Sequence, residues 1–484
     1  MAHAQTNILH RFEIDHYIEE LECINMEEML SPRWVVCGCR LVQLGVQAAL
    51  ETTHTTHDYV QDALTLHHKG LTVVWHLLTT EAWRLNVLPL LLSRRQLVPS
   101  SSLPFVMVLQ TEAAVLGLLE NLVYHEDSAA ALDGLALDVI DYSVRQLNRM
   151  AAHAHAHPHQ PLLYEPQESW TASPALADKT PEMRGTGETG GGEVEGGESE
   201  SEEKQDSIVR EVSREERRVG LVLACRAAAV IQLLACCRRR LPLCATTRLL
   251  HTHDVPQLLA SLLHLAPWRT LHNGHNYVFQ EGQWVEQGDA APLTPTECQL
   301  WTALYSLLMD RETLAMYEVS SGRRTALLKL RGRLSAAALA QVPALEPLAR
   351  WLAALALTAP QQARPPPLVT TIAQLGGGVA GMWEGRWGEL ADLLEARFLT
   401  PTPEALKALA TNLAAAWDLD ALEALLPDTP ACASCGSPAG RRCSKCRAQW
   451  YCRRECQVKH WPDHKKLCDL LTSDPRARKT TFIQ

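Results

Sequence analysis

The sequence has few aromatic residues and no uninterrupted apolar run that could cross a membrane. Aromatic residues make up 6% of its 484 residues. The longest apolar stretch, residues 219–237, contains Arg226 and Gln232, and a charge near the bilayer centre is costly. The first residues carry scattered charges instead of the apolar core of a secretory signal. We therefore expect no membrane span and a cytoplasmic or nuclear location.

The sequence also lacks the basic excess that is typical of proteins that bind nucleic acids. It has 45 Lys and Arg against 55 Asp and Glu, a formal net charge of -10. A chain of this sign offers no overall field that attracts nucleic acid. Its 46% hydrophobic and 21% charged residues are ordinary for a folded protein with a buried core. We predict a folded protein without nucleic-acid binding.

Motifs of common enzyme classes are absent from the sequence. It contains no G-x-x-x-x-G-K-[ST] phosphate loop, no H-E-x-x-H metalloprotease motif and no G-x-S-x-G nucleophile elbow. Each of these motifs places the groups that its chemistry needs at a fixed spacing, so the lack of all three disfavours those reactions. We predict that the protein is not an enzyme.

Apolar residues recur with helical spacing along most of the chain. In one example, Leu132, Leu135 and Val139 fall on a single helical face. We predict an all-α fold with a helical body formed by residues 1–150 and 217–428. An irregular armadillo- or HEAT-like stack of antiparallel helices is the favoured arrangement, and a compact irregular bundle is the alternative.

Two segments depart from the helical pattern. Residues 276–287 alternate like two short strands and predict a small hairpin. Residues 151–216 are rich first in His and then in Gly, Ser and Glu, and the window 188–206 has eight acidic residues against one lysine. Such a composition buries too little apolar surface to fold. We predict that residues 151–216 are a disordered linker, and that deleting residues 166–216 leaves the thermal transition of the body unchanged.

The most specific motif lies between residues 432 and 468, where seven cysteines and one histidine occur in pairs. Their spacing is C-x2-C-x7-C-x2-C-x5-C-x3-C-x7-H-x3-C. Zinc prefers four thiolate or imidazole ligands in a tetrahedron, and residues three or four apart can share one ion. Eight ligands predict two zinc ions. Because four protein ligands close each site, both ions are expected to be structural.

Spacing alone allows two ways of grouping the eight ligands. We expect an interleaved arrangement, while the alternative places the first four ligands on one ion and the last four on the other. The interleaved arrangement gives these two ligand sets: Cys432, Cys435, Cys452 and Cys456 for the first zinc, and Cys443, Cys446, His464 and Cys468 for the second.

With WYC at 450–452 and CQVKHWPDHKKLC at 456–468, this segment resembles a MYND zinc finger. Members of that family pair their ligands in the interleaved manner and bind short proline-containing peptides. The resemblance implies that Gln457 and Trp461, at the positions that line the family's groove, bind a partner peptide. Packing in the core of the small domain is the alternative role for Trp461.

The rest of the chain resembles MYND-finger proteins of the axonemal dynein preassembly factor type. The resemblance implies a cytoplasmic adaptor or co-chaperone for outer and inner dynein arms of motile cilia, concentrated at dynein-assembly foci or near centrosomes and centriolar satellites. It implies three kinds of partner: a leucine-rich-repeat dynein assembly factor, a chaperone and immunophilin system, and dynein chains as clients. These segments carry the match: 103–126, 136–147, 255–268, 299–308, 327–334 and the stretch from Trp387 through the finger.

Two other classes of protein contain MYND fingers. SET-domain lysine methyltransferases need a strand-rich domain with an N-H-x-C motif, and the sequence has no such motif. A nuclear transcriptional co-repressor needs a basic import cluster and a DNA-binding domain, whereas the flexible basic tail predicted for residues 469–484 offers only RARK at 476–479. The co-repressor is retained as the alternative to the adaptor.

Overall fold

The chain forms two compact units, a helical body at Leu9–Ala416 and a second unit that contains the cysteine-rich segment. The computed structural model describes these residues: 9–54, 58–94, 99–156, 196–272, 274–280, 282–287, 293–359, 375–416, 432–435, 439, 441–443, 445 and 449–473.

The body is mostly helical, which confirms the predicted fold class. The helices before the acidic segment are α1 Arg11–Glu19, α2 Pro32–His54, α3 Tyr59–Leu66, α4 Gly70–Asn86, α5 Leu88–Leu92, α6 Leu103–Leu122, α7 Glu126–Ala131 and α8 Leu135–Ala156. Those that follow are α9 Gly196–Cys237, α10 Leu243–Thr247, α11 Val255–Leu265, α12 Pro295–Leu308, α13 Arg311–Met316, α14 Ser321–Leu328, α15 Ala336–Gln341, α16 Glu346–Leu355, α17 Leu375–Gly381, α18 Trp387–Phe398 and α19 Pro403–Ala416.

A small antiparallel sheet interrupts the helices, with strands β1 (Arg269–His272), β2 (His275–Gln280) and β3 (Gln283–Gln287) in that order. Strands β2 and β3 form the predicted hairpin, and Gly282 in its turn has a φ of 83° that glycine adopts without strain. Strand β1 was not predicted. Its sequence RTLH contains one large apolar residue, so it shows no alternating pattern.

Helix α6 lies at the centre of the body. It is apolar on nearly every side and packs against α2, α4 and α9. Helices α2 and α6 approach closely at Gly45, where an added Cβ would lie 3.2 Å from the carbonyl oxygen of Ala114. Burial of α6 by three neighbours removes its apolar surface from water, which is the main favourable contribution to folding.

Among the residues that the structure describes, two segments are long and apolar enough to cross a membrane by length and composition, namely α6 and Ser207–Cys237 within α9. Within the body, 67% and 61% of their apolar windows are buried. Arg226 pairs with Glu120 of α6 at 3.3 Å, so the charge that interrupts this stretch of α9 serves the contact between the two helices. Core helices of a globular protein have these properties.

The last helices of the body return to the first ones. Helix α17 packs on α4, α18 on α5 and α6, and α19 on α2 and α6. The Phe398 ring stacks on Trp83 at 4.9 Å and lies 5.3 Å from Phe105. In a strict solenoid each repeat contacts only its neighbours. In this body the last helices also contact the first ones, so its packing is not limited to helices that are neighbours in sequence.

The helices extend into the segment predicted to be a linker. Helix α8 continues to Ala156 and α9 begins at Gly196. Ile208 and Val212, one turn apart on α9, are only 9% and 0% exposed. The linker prediction for residues 151–216 is therefore wrong at both ends, because α9 buries Ile208 and Val212 although most residues of its first part are polar or charged. Residues 157–195 lie outside the described residues.

A buried ion pair joins α4 and α6. The Arg84 guanidinium donates to both carboxylate oxygens of Glu112, at 2.7 and 2.8 Å, and both side chains are almost fully buried. The Tyr142 hydroxyl of α8 donates to Glu112 at 2.9 Å, and Arg84 also donates to Gln146. The buried charges thus have several partners, which reduces the cost of taking them out of water.

Replacement of Glu112 by Ala is expected to lower the free energy of unfolding by about 3–5 kcal/mol, because it leaves the buried Arg84 without its counter-ion. Urea denaturation monitored by circular dichroism measures the change. Asp127→Ala, which removes an exposed pair with Arg240, is the control and should have a much smaller effect. Equal effects of the two substitutions would contradict the role of the buried pair.

Val212→Ser is expected to destabilise the body by about 2–3 kcal/mol, because it places a hydroxyl in an apolar contact and leaves a cavity. Thermal unfolding of Val212→Ser and of the exposed neighbour Glu211→Ser provides the test. A linker without structure would tolerate both substitutions equally. Deletion of residues 166–216 should likewise lower the transition temperature, contrary to the expectation from sequence.

Candidate metal centre

The cysteine-rich segment folds as a short hairpin followed by a helix. Strands β4 (Arg441–Arg442) and β5 (Trp450–Tyr451) pair antiparallel, and helix α20 spans Arg454–Ser473. Residues four apart on α20 share a face, so Cys456, His464 and Cys468 all point to one side of the helix. Cys443 and Cys452 directly follow the two strands of the hairpin, and Cys432 and Cys435 precede the hairpin.

Four of the predicted ligands form the first cluster. The sulfurs of Cys432, Cys435, Cys452 and Cys456 all lie within 4.8 Å of one another. The Cys435–Cys452 and Cys452–Cys456 sulfurs are both 3.5 Å apart, and the Cys456–Cys435 sulfurs are 3.7 Å apart. In a tetrahedral zinc site with bonds of about 2.3 Å, sulfurs are about 3.8 Å apart. The first cluster therefore fits a zinc ion.

A second cluster contains Cys443, His464 and Cys468. Their ligand atoms also lie within 4.8 Å of one another, and the two sulfurs are 3.9 Å apart. All three side chains are buried. Cys446, predicted as the fourth ligand, lies outside the described residues. The two clusters have the interleaved grouping, since Cys432 and Cys435 meet ligands that follow Cys443 in the chain.

The electrostatics of the first cluster favour a bound cation. Burial raises the pKa of the Cys432 thiol, but backbone N–H groups of Cys452, Ser434 and Cys435 outweigh this effect and lower it to about 6. The adjacent Cys435 sulfur raises the pKa of Cys452 to about 12. Neighbouring thiols thus resist joint ionisation, whereas a divalent ion stabilises all four thiolates together.

The protonation state of His464 also suits zinc. Burial, together with the neighbouring His460, lowers the pKa of the His464 imidazole. The neutral imidazole that results near pH 7 is the form that binds a metal. His460 was not predicted as part of the site. His460 shares a 3.0 Å hydrogen bond with the Tyr451 hydroxyl and stacks on His464. It lies four residues from both Cys456 and His464, and this helical spacing could have predicted that it shares their side of α20.

The core of the finger is built largely from the ligands themselves. Its buried cluster contains four cysteines besides Ala439 and Tyr451, and Trp450, Cys452 and Trp461 pack against it. So small an apolar core supplies little folding energy. Two structural zinc ions account for the stability of the finger, since metal binding to closed sites contributes directly to folding.

The two residues of the predicted peptide groove lie one turn apart on α20. Gln457 and Trp461 are both half-buried. The Trp461 ring packs against the core of the finger and makes an edge contact with His464 at 5.8 Å. Trp461 therefore has one side in the core and another side open to solvent, and its role in binding a peptide stays a prediction.

Comparison with known proteins matches this geometry. The family model described as the MYND finger covers residues 432–468. The chain carries a MYND finger at its C-terminal end. Over 96% of its length it is similar to the zinc finger MYND domain-containing protein 10 homolog of Drosophila melanogaster, with 26% identity across 99% of that protein. This confirms the resemblance seen in the sequence. No solved structure matches the chain.

Other relatives share the finger alone. The human histone-lysine N-methyltransferase SMYD3 is 56% identical over 32 residues, which are 7% of this chain and 8% of that enzyme. Dauer abnormal formation protein 25 of Caenorhabditis elegans is 49% identical over 50 residues, 10% of this chain and 13% of its own. Proteins of different kinds thus share this zinc-binding segment. Because the matches do not include the body, they do not indicate what the body does.

Replacement of Cys443 or His464 by Ala is expected to unfold the finger and leave the body folded, because each change opens a closed zinc site. Metal analysis should find fewer than two zinc ions per chain, while the thermal transition of the body is unchanged. Cys236→Ala, at an exposed cysteine of the body, is the control. A purified Cys443→Ala protein that retains two zinc ions would contradict the assignment.

Proposed function

We propose that the protein is a non-enzymatic cytoplasmic adaptor or co-chaperone for the preassembly of axonemal dynein arms, and that its MYND finger docks a partner assembly factor. The observation that carries the proposal is similarity to a MYND-finger relative along 96% of the chain, body included. The segments of the body that suggested the dynein preassembly type belong to this region of similarity. A body of packed helices offers surfaces for clients and chaperones.

The metal chemistry supports a binding role for the finger. The first cluster has four protein ligands and leaves no position for water or substrate. Catalytic zinc sites keep such a position open. A finger whose ions only hold its fold can act by presenting a surface, and the side of Trp461 that faces solvent is part of such a surface.

The partners of the proposed adaptor follow from the same resemblance. A leucine-rich-repeat dynein assembly factor would bind the finger, and a chaperone and immunophilin system would act with the body on dynein chains. The protein would work in the cytoplasm, at dynein-assembly foci or near centrosomes and centriolar satellites, before the arms reach the cilium.

A pull-down from ciliating cells tests the proposal. The bait is the full chain, either unchanged or with Gln457→Ala and Trp461→Ala together, after metal analysis has shown two zinc ions in each. The unchanged chain should recover dynein-assembly factors, and the double variant should lose them. Lys459→Ala, on another side of α20, is the control and should behave like the unchanged chain.

Three other outcomes would change parts of the proposal. Recovery of chromatin proteins without assembly factors would favour the nuclear co-repressor. Loss of zinc from the double variant would assign Trp461 to the core, and Gln457→Ala alone would then test the groove. Full recovery of assembly factors by a folded groove variant would show that the finger does not dock them.

A further inference from the structure

The side of α20 that carries Trp461 also carries an exposed apolar residue and two cations. Arg454, Val458, Trp461 and Lys465 follow one another at spacings of four, three and four, which aligns them in one stripe on a helix. Val458 is 65% exposed, and Arg454 and Lys465 are exposed as well. The zinc ligands of α20 lie on the neighbouring side. We name these four aligned residues the acidic-peptide stripe; three of them are exposed, and Trp461 is half-buried.

The two cations have no counter-ion within the part of the chain that the structure describes. Neither Arg454 nor Lys465 has a carboxylate within ion-pair distance among the described residues, whereas many arginines of the body are paired, such as Arg84 with Glu112 and Arg226 with Glu120. Exposed cations that lack an intramolecular partner are available to a ligand at little cost of desolvation.

The charge of the finger has the opposite sign to that of the whole chain. Over residues 431–484, Lys and Arg outnumber Asp and Glu by eight. Seven bound thiolates and two zinc ions lower this excess but leave the finger positive. A positive module attached to a chain of net charge -10 attracts acidic ligands.

The resemblance already assigns a proline-containing peptide to the finger; we infer that this peptide carries acidic residues on both sides of its apolar anchor. This inference rests on the proposed docking function and specifies its chemistry. Trp461 and Val458 provide the apolar surface for the anchor. Arg454 and Lys465 form ion pairs with the acidic residues on the two sides of the anchor.

The dimensions of the helix set the spacing of those acidic residues. Arg454 and Lys465 are eleven residues apart, which on an α-helix is about 16 Å. An extended or polyproline peptide advances about 3.1–3.4 Å per residue. Acidic residues about five positions apart, with the proline and apolar anchor between them, therefore match the acidic-peptide stripe.

The chain's own acidic segment fits this stripe less well. Residues 188–206 contain eight acidic residues, but no proline, and Val194 is their one residue with a large apolar side chain. The segment could satisfy the cations but offers no anchor for Trp461. The observations therefore favour a separate partner.

Peptide binding to the full-length, zinc-loaded protein tests the inference. The first probe is a fluorescent peptide with a central Pro-Pro-Leu and two glutamates on each side, and the second has glutamine in place of each glutamate. The acidic peptide should bind about fivefold more tightly at low salt, and the preference should shrink as salt is added. Arg454→Glu with Lys465→Glu should abolish or reverse it.

A matched control reverses the same number of charges elsewhere on the finger, with Lys459→Glu and Arg441→Glu. It should retain most of the preference for the acidic peptide. If both double variants lose the preference for the acidic peptide equally, the preference comes from the net charge of the finger, and the inference is overturned. Equal binding of the two peptides to the unchanged protein would also overturn it.

The remaining outcomes separate this inference from the function on which it rests. If neither peptide binds, the proposed docking function of the groove fails together with the inference. If both bind equally and Trp461→Ala abolishes binding, the docking function stands and the acidic specificity is wrong. If neutralising the acidic residues of 188–206 increases the affinity for the acidic peptide severalfold, the stripe belongs to the chain's own segment.

Discussion

The body depends on the need to cover helix α6 on every side. A helix without a polar face is stable only when neighbours enclose it, and α2, α4 and α9 do so. Charges at the contacts of α6 are paired: Glu112 meets Arg84 inside the core, and Glu120 meets the more exposed Arg226 of α9. Each pair lies at the contact between α6 and one neighbouring helix. Helix α6 precedes the acidic segment and α9 follows it. Because these two helices pack together, the two halves of the helical sequence form one core.

The finger is held by a different interaction. Its buried side chains are chiefly the ligands of metal, so the attraction between thiolates and zinc replaces the apolar burial that holds the body. The two units are therefore stabilised independently of each other. Loss of one zinc ligand should unfold the docking module without unfolding the body, while loss of a buried pair in the body should spare the finger.

The proposed function combines these two modes of stabilisation. A zinc-held finger can expose much of α20, because its core does not require that surface. The acidic-peptide stripe lies there, next to the half-buried Trp461. A finger held by its own metal sites can fold beside different domains, which agrees with a match to the human histone-lysine N-methyltransferase SMYD3 over only 7% of this chain.

The sequence by itself determined the local features of this protein: the helices, from apolar periodicity; the β2–β3 hairpin, from alternation around Gly282; and two zinc clusters, from the spacing of cysteines. These depend on residues close in the chain. Tertiary structure alone decided what depends on distant residues. Strand β1 forms because β2 pairs with it, α9 extends back to Gly196 with Ile208 and Val212 buried, and α17–α19 return to the first helices, since long-range packing leaves no periodic signal in sequence.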